Sequence, residues 1–191
     1  MKKNRIKTKN IALSAVLIAL GVVILYIGSI INVLDLTMAA IASLIIFFTV
    51  IELQGKYPYL IYAATGLLSA LILPDKYAAV VYILFAGIYP MFKEMFERLH
   101  SVICWILKLS MFNTSLLLTI AVSVYALHIE DTGLGFTAAV LLLGNLAFVL
   151  YDIAMTKLIT LYLIKLRKLF GLSDFFEEKS SASERKDGNK K

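Results

Sequence analysis

Between Lys9 and Asp35 the chain carries no charged residue, and the run from Ile11 to Ile31 is apolar almost without interruption. A helix needs about 20 residues, at roughly 1.5 Å each, to cross a hydrocarbon core about 30 Å thick. Lipid offers no partner to a bare N–H or C=O, so a crossing segment must be a helix or a strand of a closed barrel. Barrel strands alternate polar and apolar side chains, and this run does not. It is therefore read as a spanning helix. It is longer than the apolar region of a signal peptide and has no small-x-small cleavage site before Asp35, so it is expected to be retained. The rest of the 191 residues has the same character, with 60% hydrophobic and 17% charged residues and a mean hydropathy of +0.85, which excludes a soluble domain. The expected fold class is all-α, an integral membrane bundle.

Turn and charge signals divide the chain into about six apolar segments: 11–31, 36–53, 57–73, 77–92, 109–127 and 137–157. The third and fourth are short for a full crossing, so they either sit in a thinned region or form a hairpin. Basic residues stay preferentially in the cytoplasm. With the N-terminus inside, 18 of the 19 Lys and Arg residues fall on the inner side and only Lys76 falls outside, whereas Asp35, Asp75, Glu130 and Asp131 lie in the outer connections. This distribution predicts a multi-pass protein of the cell membrane with both termini cytoplasmic. It also accounts for the net charge of +6 through contact with lipid headgroups, without nucleic acid.

Residues 1–172 are read as one transmembrane helical domain and 173–191 as a disordered polar cytoplasmic tail. Residues 93–108 mix charge with Met95, Phe96, Leu99, Val102, Ile103 and Trp105, the pattern of a helix lying at the inner interface. The single cysteine, Cys104, excludes an internal disulfide.

Within "ALSAVLIAL", Ala12, Ala15 and Ala19 lie along one stripe of the first helix. Small residues let another backbone come close, either a neighbour in the bundle or a partner protein. The stretch "KTKNIALSAVLIALGVVI" at 7–24, with the six-segment layout and both ends inside, resembles the substrate-binding S components of energy-coupling factor (ECF) transporters. The resemblance implies that Ala15 and Ala19 dock on a transmembrane coupling subunit driven by separate cytoplasmic ATPases. It further implies that a vitamin-like micronutrient binds on the outer side.

Polar groups in the outer half are the candidates for that ligand: Asp35 at the first outer turn, Tyr82 in the fourth segment, Tyr125 and His128 near the end of the fifth, and Asn145 in the sixth. Each also has a structural reading as a cap, a headgroup-belt residue or an interhelical hydrogen bond. Glu52 and Asp152 are inner-half carboxylates expected to pair with Lys56 and Lys157, and a proton-coupling role is the competing account. Glu97, His100 and Cys104 would share one helical face, yet no second cluster completes a metal site. No nucleophile elbow, phosphate-cradling loop or zinc-protease helix is present, so no catalysis, metal or cofactor is expected of this chain. The alternative to a transport subunit is a non-catalytic scaffold or cell-envelope assembly protein, with a partner engaging the helix at 93–108 or the tail.

Overall fold

The computed structural model describes residues 2–31, 34–53, 55–125 and 134–166. The expected tail at 173–191 and His128 lie outside the described residues. The helices run α1 Lys2–Ile30, α2 Asp35–Glu52, α3 Tyr57–Ile72, α4 Tyr77–Val81, α5 Tyr89–Phe96, α6 Ser101–Tyr125 and α7 Leu134–Leu161. One π-helical turn, Tyr82–Ala86, joins α4 to α5, and another, Tyr162–Leu166, follows α7. Among the described residues five helical stretches are long and apolar enough to cross a membrane: Thr8–Ile30, Asp35–Glu52, Tyr77–Phe96, Ser101–Tyr125 and Ala139–Ile164. Tyr57–Ile72 is a sixth, shorter apolar helix. The protein is an all-α bundle of the membrane-spanning kind. The chain divides into two compact units, residues 1–145 and 146–191, with the boundary inside α7.

The three prolines mark the helix boundaries, as their chemistry requires. Pro58 and Pro90 stand in the first turns of α3 and α5, where the missing N–H has no intrahelical acceptor to lose. Leu73, just before Pro74, is extended (ψ 134°), because the proline ring excludes the helical conformation from the residue ahead of it; α3 ends there. Gly55 turns the chain between α2 and α3 with a φ of 63°, a left-handed conformation that glycine takes without a steric penalty.

In the first unit α1 packs against α2 and α3, and α2 also contacts α4, α5 and the π turn. The core gathers Leu25 of α1, Ala39, Ala42 and Ile46 of α2, Ile61 of α3 and Ala78, Ala79 and Tyr82 of the fourth segment. Close approach depends on glycine. A methyl group on Gly28 would come within 2.8 Å of Met38 Cβ, and one on Gly87 within 2.6 Å of the Tyr62 ring and 2.9 Å of Tyr82 Cζ. In lipid, where burial of apolar surface drives helices together only weakly, such contacts supply much of the adhesion.

Two expectations change. The segment 93–108 is not a separate interfacial helix: α5 ends at Phe96, the chain breaks over 97–100, and 101–108 are the first turns of α6. Lys93 and Lys108, read from the sequence as interfacial, are buried at 1% and 4% exposure. The amphipathic pattern comes from two helix ends whose lysines point inward. In the second unit Phe148, Asp152 and Met155 are buried, and Lys157 is exposed.

A Gly87→Ala substitution drives its methyl into two tyrosine rings and should cost about 1–3 kcal/mol, the usual range for overpacking. Gly144→Ala, whose new methyl meets Leu116 at 3.3 Å, should cost less. Thermal midpoints of the two variants in one detergent check the order.

Candidate functional site

The segment Tyr77–Phe96 bends because of its sequence. A helical proline clashes with the carbonyl four residues earlier, which for Pro90 belongs to Ala86, and the helix widens over Tyr82–Ala86 before restarting at Tyr89. Gly87 N–H closes the wide turn on the Tyr82 carbonyl at 2.7 Å. Two neighbouring carbonyls take side-chain donors from other helices: Tyr62 of α3 donates to Ile83 O at 2.8 Å and Ser115 of α6 donates to Leu84 O at 2.9 Å. Tyr82 itself is 1% exposed, with its ring 6.1 Å from that of Tyr62 and its hydroxyl facing Thr65.

At one end of the bundle α1, α2, α3 and the start of α4 converge. Ser29 Oγ donates to the Asp75 carbonyl at 3.0 Å and accepts from Asp75 N–H at 2.9 Å. Asp75 Oδ1 accepts the Tyr77 N–H at 3.0 Å, which fixes the first turn of α4. Lys76 turns its ammonium onto the last carbonyls of α3, Leu73 O at 2.5 Å and Leu71 O at 3.4 Å. Asp35, the first residue of α2, is 4% exposed, and its Oδ1 has no hydrogen-bond partner.

The opposite end holds the charge. Lys93 Nζ lies 2.7 Å from Glu97 Oε1, and Lys108 Nζ lies 3.3 Å from the same oxygen, so one half-exposed carboxylate ties α5 to α6 across the break. The Lys108 ammonium also stands 5.5 Å from the Trp105 ring centroid. Two adjoining cavities, of about 390 and 290 Å³, open at this end; Tyr59, Met91, Glu94 and Arg98 line both.

The sequence-expected residues fall into separate surroundings. Asp35 belongs to the first cluster and Tyr82 to the packed π turn. Tyr125, at the end of α6, is 83% exposed. Asn145 makes a reciprocal amide pair with Asn113 of α6, with both N···O distances 2.9 Å. Neither cavity has any of these four among its lining residues. Ala15 and Ala19 are exposed, on a face of α1 shared with Ala12, Val16, Leu20 and Val23, while Asn10, Ser14, Gly21, Leu25 and Gly28 form its buried face. Glu97 and His100 lie in the break before α6, so they share no helical face with Cys104. No group of three or more His, Cys, Asp or Glu residues suited to a metal occurs among the described residues.

Sequence reasoning did not find the Lys93–Glu97–Lys108 contact. The signal was available as two lysines flanking an acid on either side of a helix break, but basic residues near a span end read first as headgroup contacts. Compared with protein-family models, curated proteins and solved structures, the chain has no match.

Neutralising the shared carboxylate takes one anionic partner from each of two buried ammoniums. Glu97→Gln should lower stability by about 1–3 kcal/mol, discounted because Glu97 is half exposed. In a double-mutant cycle with Lys93→Met the two losses should fall short of additive.

Proposed function

We propose that this protein is a membrane transport subunit of the S-component type, which captures a small micronutrient on the outer side and is energised by a separate coupling subunit with ATPases. The observation that carries the reading is the outward position of Ala15 and Ala19. A lipid-facing helix gains nothing from alanine over leucine, whereas a surface that receives another helix needs small residues. The buried face of α1 is made by other residues, so packing within the first unit does not account for this stripe.

Orientation follows the same reading. Lys56, Lys93, Arg98 and Lys108 lie at the helix ends near Glu97, which is the cytoplasmic end under the rule for basic residues. The Asp35 end then faces outward, where a ligand would enter. Its buried hydroxyls and carboxylate supply polar contacts in an apolar setting. The scaffold alternative expected a partner on an amphipathic helix at 93–108 or on the tail; the first stretch is divided between α5 and α6, and the tail lies outside the described residues.

Ala15→Trp and Ala19→Trp should abolish co-purification with a coupling subunit from the native host. The thermal midpoint of the isolated chain should stay unchanged, because neither position is buried. Co-purification that survives both substitutions would remove the basis for this reading.

A further inference from the structure

Asp35 presents a problem in the physics of burial. A carboxylate removed from water is costly unless it is paired or fully hydrogen-bonded, and Asp35 Oδ1 has no partner. A second carboxylate, that of Asp75, lies close enough to repel it. The backbone explains their proximity: the Asp35 Cα is 3.6 Å from where a Gly28 methyl would stand, and the next residue, Ser29, holds Asp75 through two hydrogen bonds. Lys76, the basic residue closest in sequence to Asp75, donates to the end of α3. Among the described residues neither carboxylate has an ion-pair partner. Tyr77, whose N–H binds Asp75 Oδ1, brings an aromatic side chain to the same turn.

We propose that the Asp35 end of the bundle binds a small organic cation, a protonated or quaternary amine, with Asp35 as its counter-ion and Asp75 and Tyr77 beside it. This deepens the reading of outer-side capture and rests on it. A divalent metal is a poorer occupant. It takes about six or more oxygen ligands, and two carboxylates with one Oδ1 already engaged by the Tyr77 N–H fall short of that set. An ammonium needs fewer directed contacts and gains from an aromatic face. It cancels the repulsion between the acids and gives the orphaned oxygen a partner. An anionic ligand adds to the repulsion, and a neutral donor can fill the orphaned oxygen but leaves the repulsion in place.

The test is a calorimetric titration of the full chain in nanodiscs with choline chloride and methylammonium chloride, against sodium chloride, magnesium chloride and sodium acetate. Saturable binding of at least one ammonium salt is expected, weakened at least tenfold in Asp35→Asn and less in Asp75→Asn, with neither variant's thermal midpoint lowered. Ammonium binding that is absent, equally tight in both variants, or weaker than magnesium binding overturns the proposal. Should Asp35→Asn fail to fold, Asp75→Asn, at a half-buried position, decides by the same criterion against unaltered affinity. Mass spectrometry of small molecules released from the protein purified from host membranes separates this inference from the reading beneath it. A released amine supports both. A neutral or anionic compound removes the cation assignment and leaves capture standing. A protein with neither ligand nor coupling subunit removes capture, while the ammonium titration still judges the site.

Discussion

The first unit is organised around an unmet demand of the backbone. Ahead of Pro90 the helix widens and restarts in the middle of an apolar segment, which offsets the carbonyl ladder where no water is at hand to complete it. The repair comes from elsewhere in the chain: the helix widens over Tyr82–Ala86, and Tyr62 and Ser115 give their hydroxyl protons to Ile83 O and Leu84 O. Each bond contributes on the order of 1 kcal/mol in such a setting. Together they bring α3 and α6 to the same turn of the fourth segment. The tight fit of Gly87 and Gly66 against Tyr62, Tyr82 and Ile83 follows from that meeting.

Polar groups then sort to the two ends with different chemistry. At the Glu97 end opposite charges meet directly, and the cost of burying two lysines is offset by a shared carboxylate that keeps part of its hydration. At the Asp35 end hydroxyl, carbonyl and carboxylate groups satisfy one another through Ser29, Asp75 and Tyr77, while Asp35 Oδ1 and the Ser69 hydroxyl of α3 are left without partners. One end is electrically closed and the other is left acidic. This asymmetry is a property of the folded chain as well as of its basic-residue count, and it gives the two faces of the bundle different capacities for binding.

Much of the architecture was legible in the sequence because lipid imposes a coarse rule that composition obeys openly. The apolar runs at 36–53 and 57–73 became α2 and α3 within a residue at either end, with Pro58 and Pro74 at the two ends of α3; the run at 77–92 was read as unbroken through Pro90. The stretch 93–108 was misread because a hydrophobic period does not reveal a break when both pieces are amphipathic. Site residues were less legible for a related reason. Tyr82 and Asn145 are polar groups inside spans, and such residues serve structure or ligand alike. Their neighbours, the Tyr62 ring beside Tyr82 and the Asn113 amide bonded to Asn145, are set by helix rotation, which periodicity leaves loose. Asp35 was legible as an acid at a turn, but a residue's type and position do not show that its Oδ1 is buried without a partner.

The reciprocal pair between Asn113 and Asn145 bears on how the bundle can move. Each amide both gives and receives, so the two bonds form only when both side chains meet edge to edge. Turning α7 about its own axis by a single residue position, about 100°, would break both at once in a medium with no substitute partner. Swinging α7 together with α6 breaks neither. The pair therefore acts as a keyed joint between α6 and the turn of α7 that carries Asn145: it opposes spin between them and leaves concerted tilt.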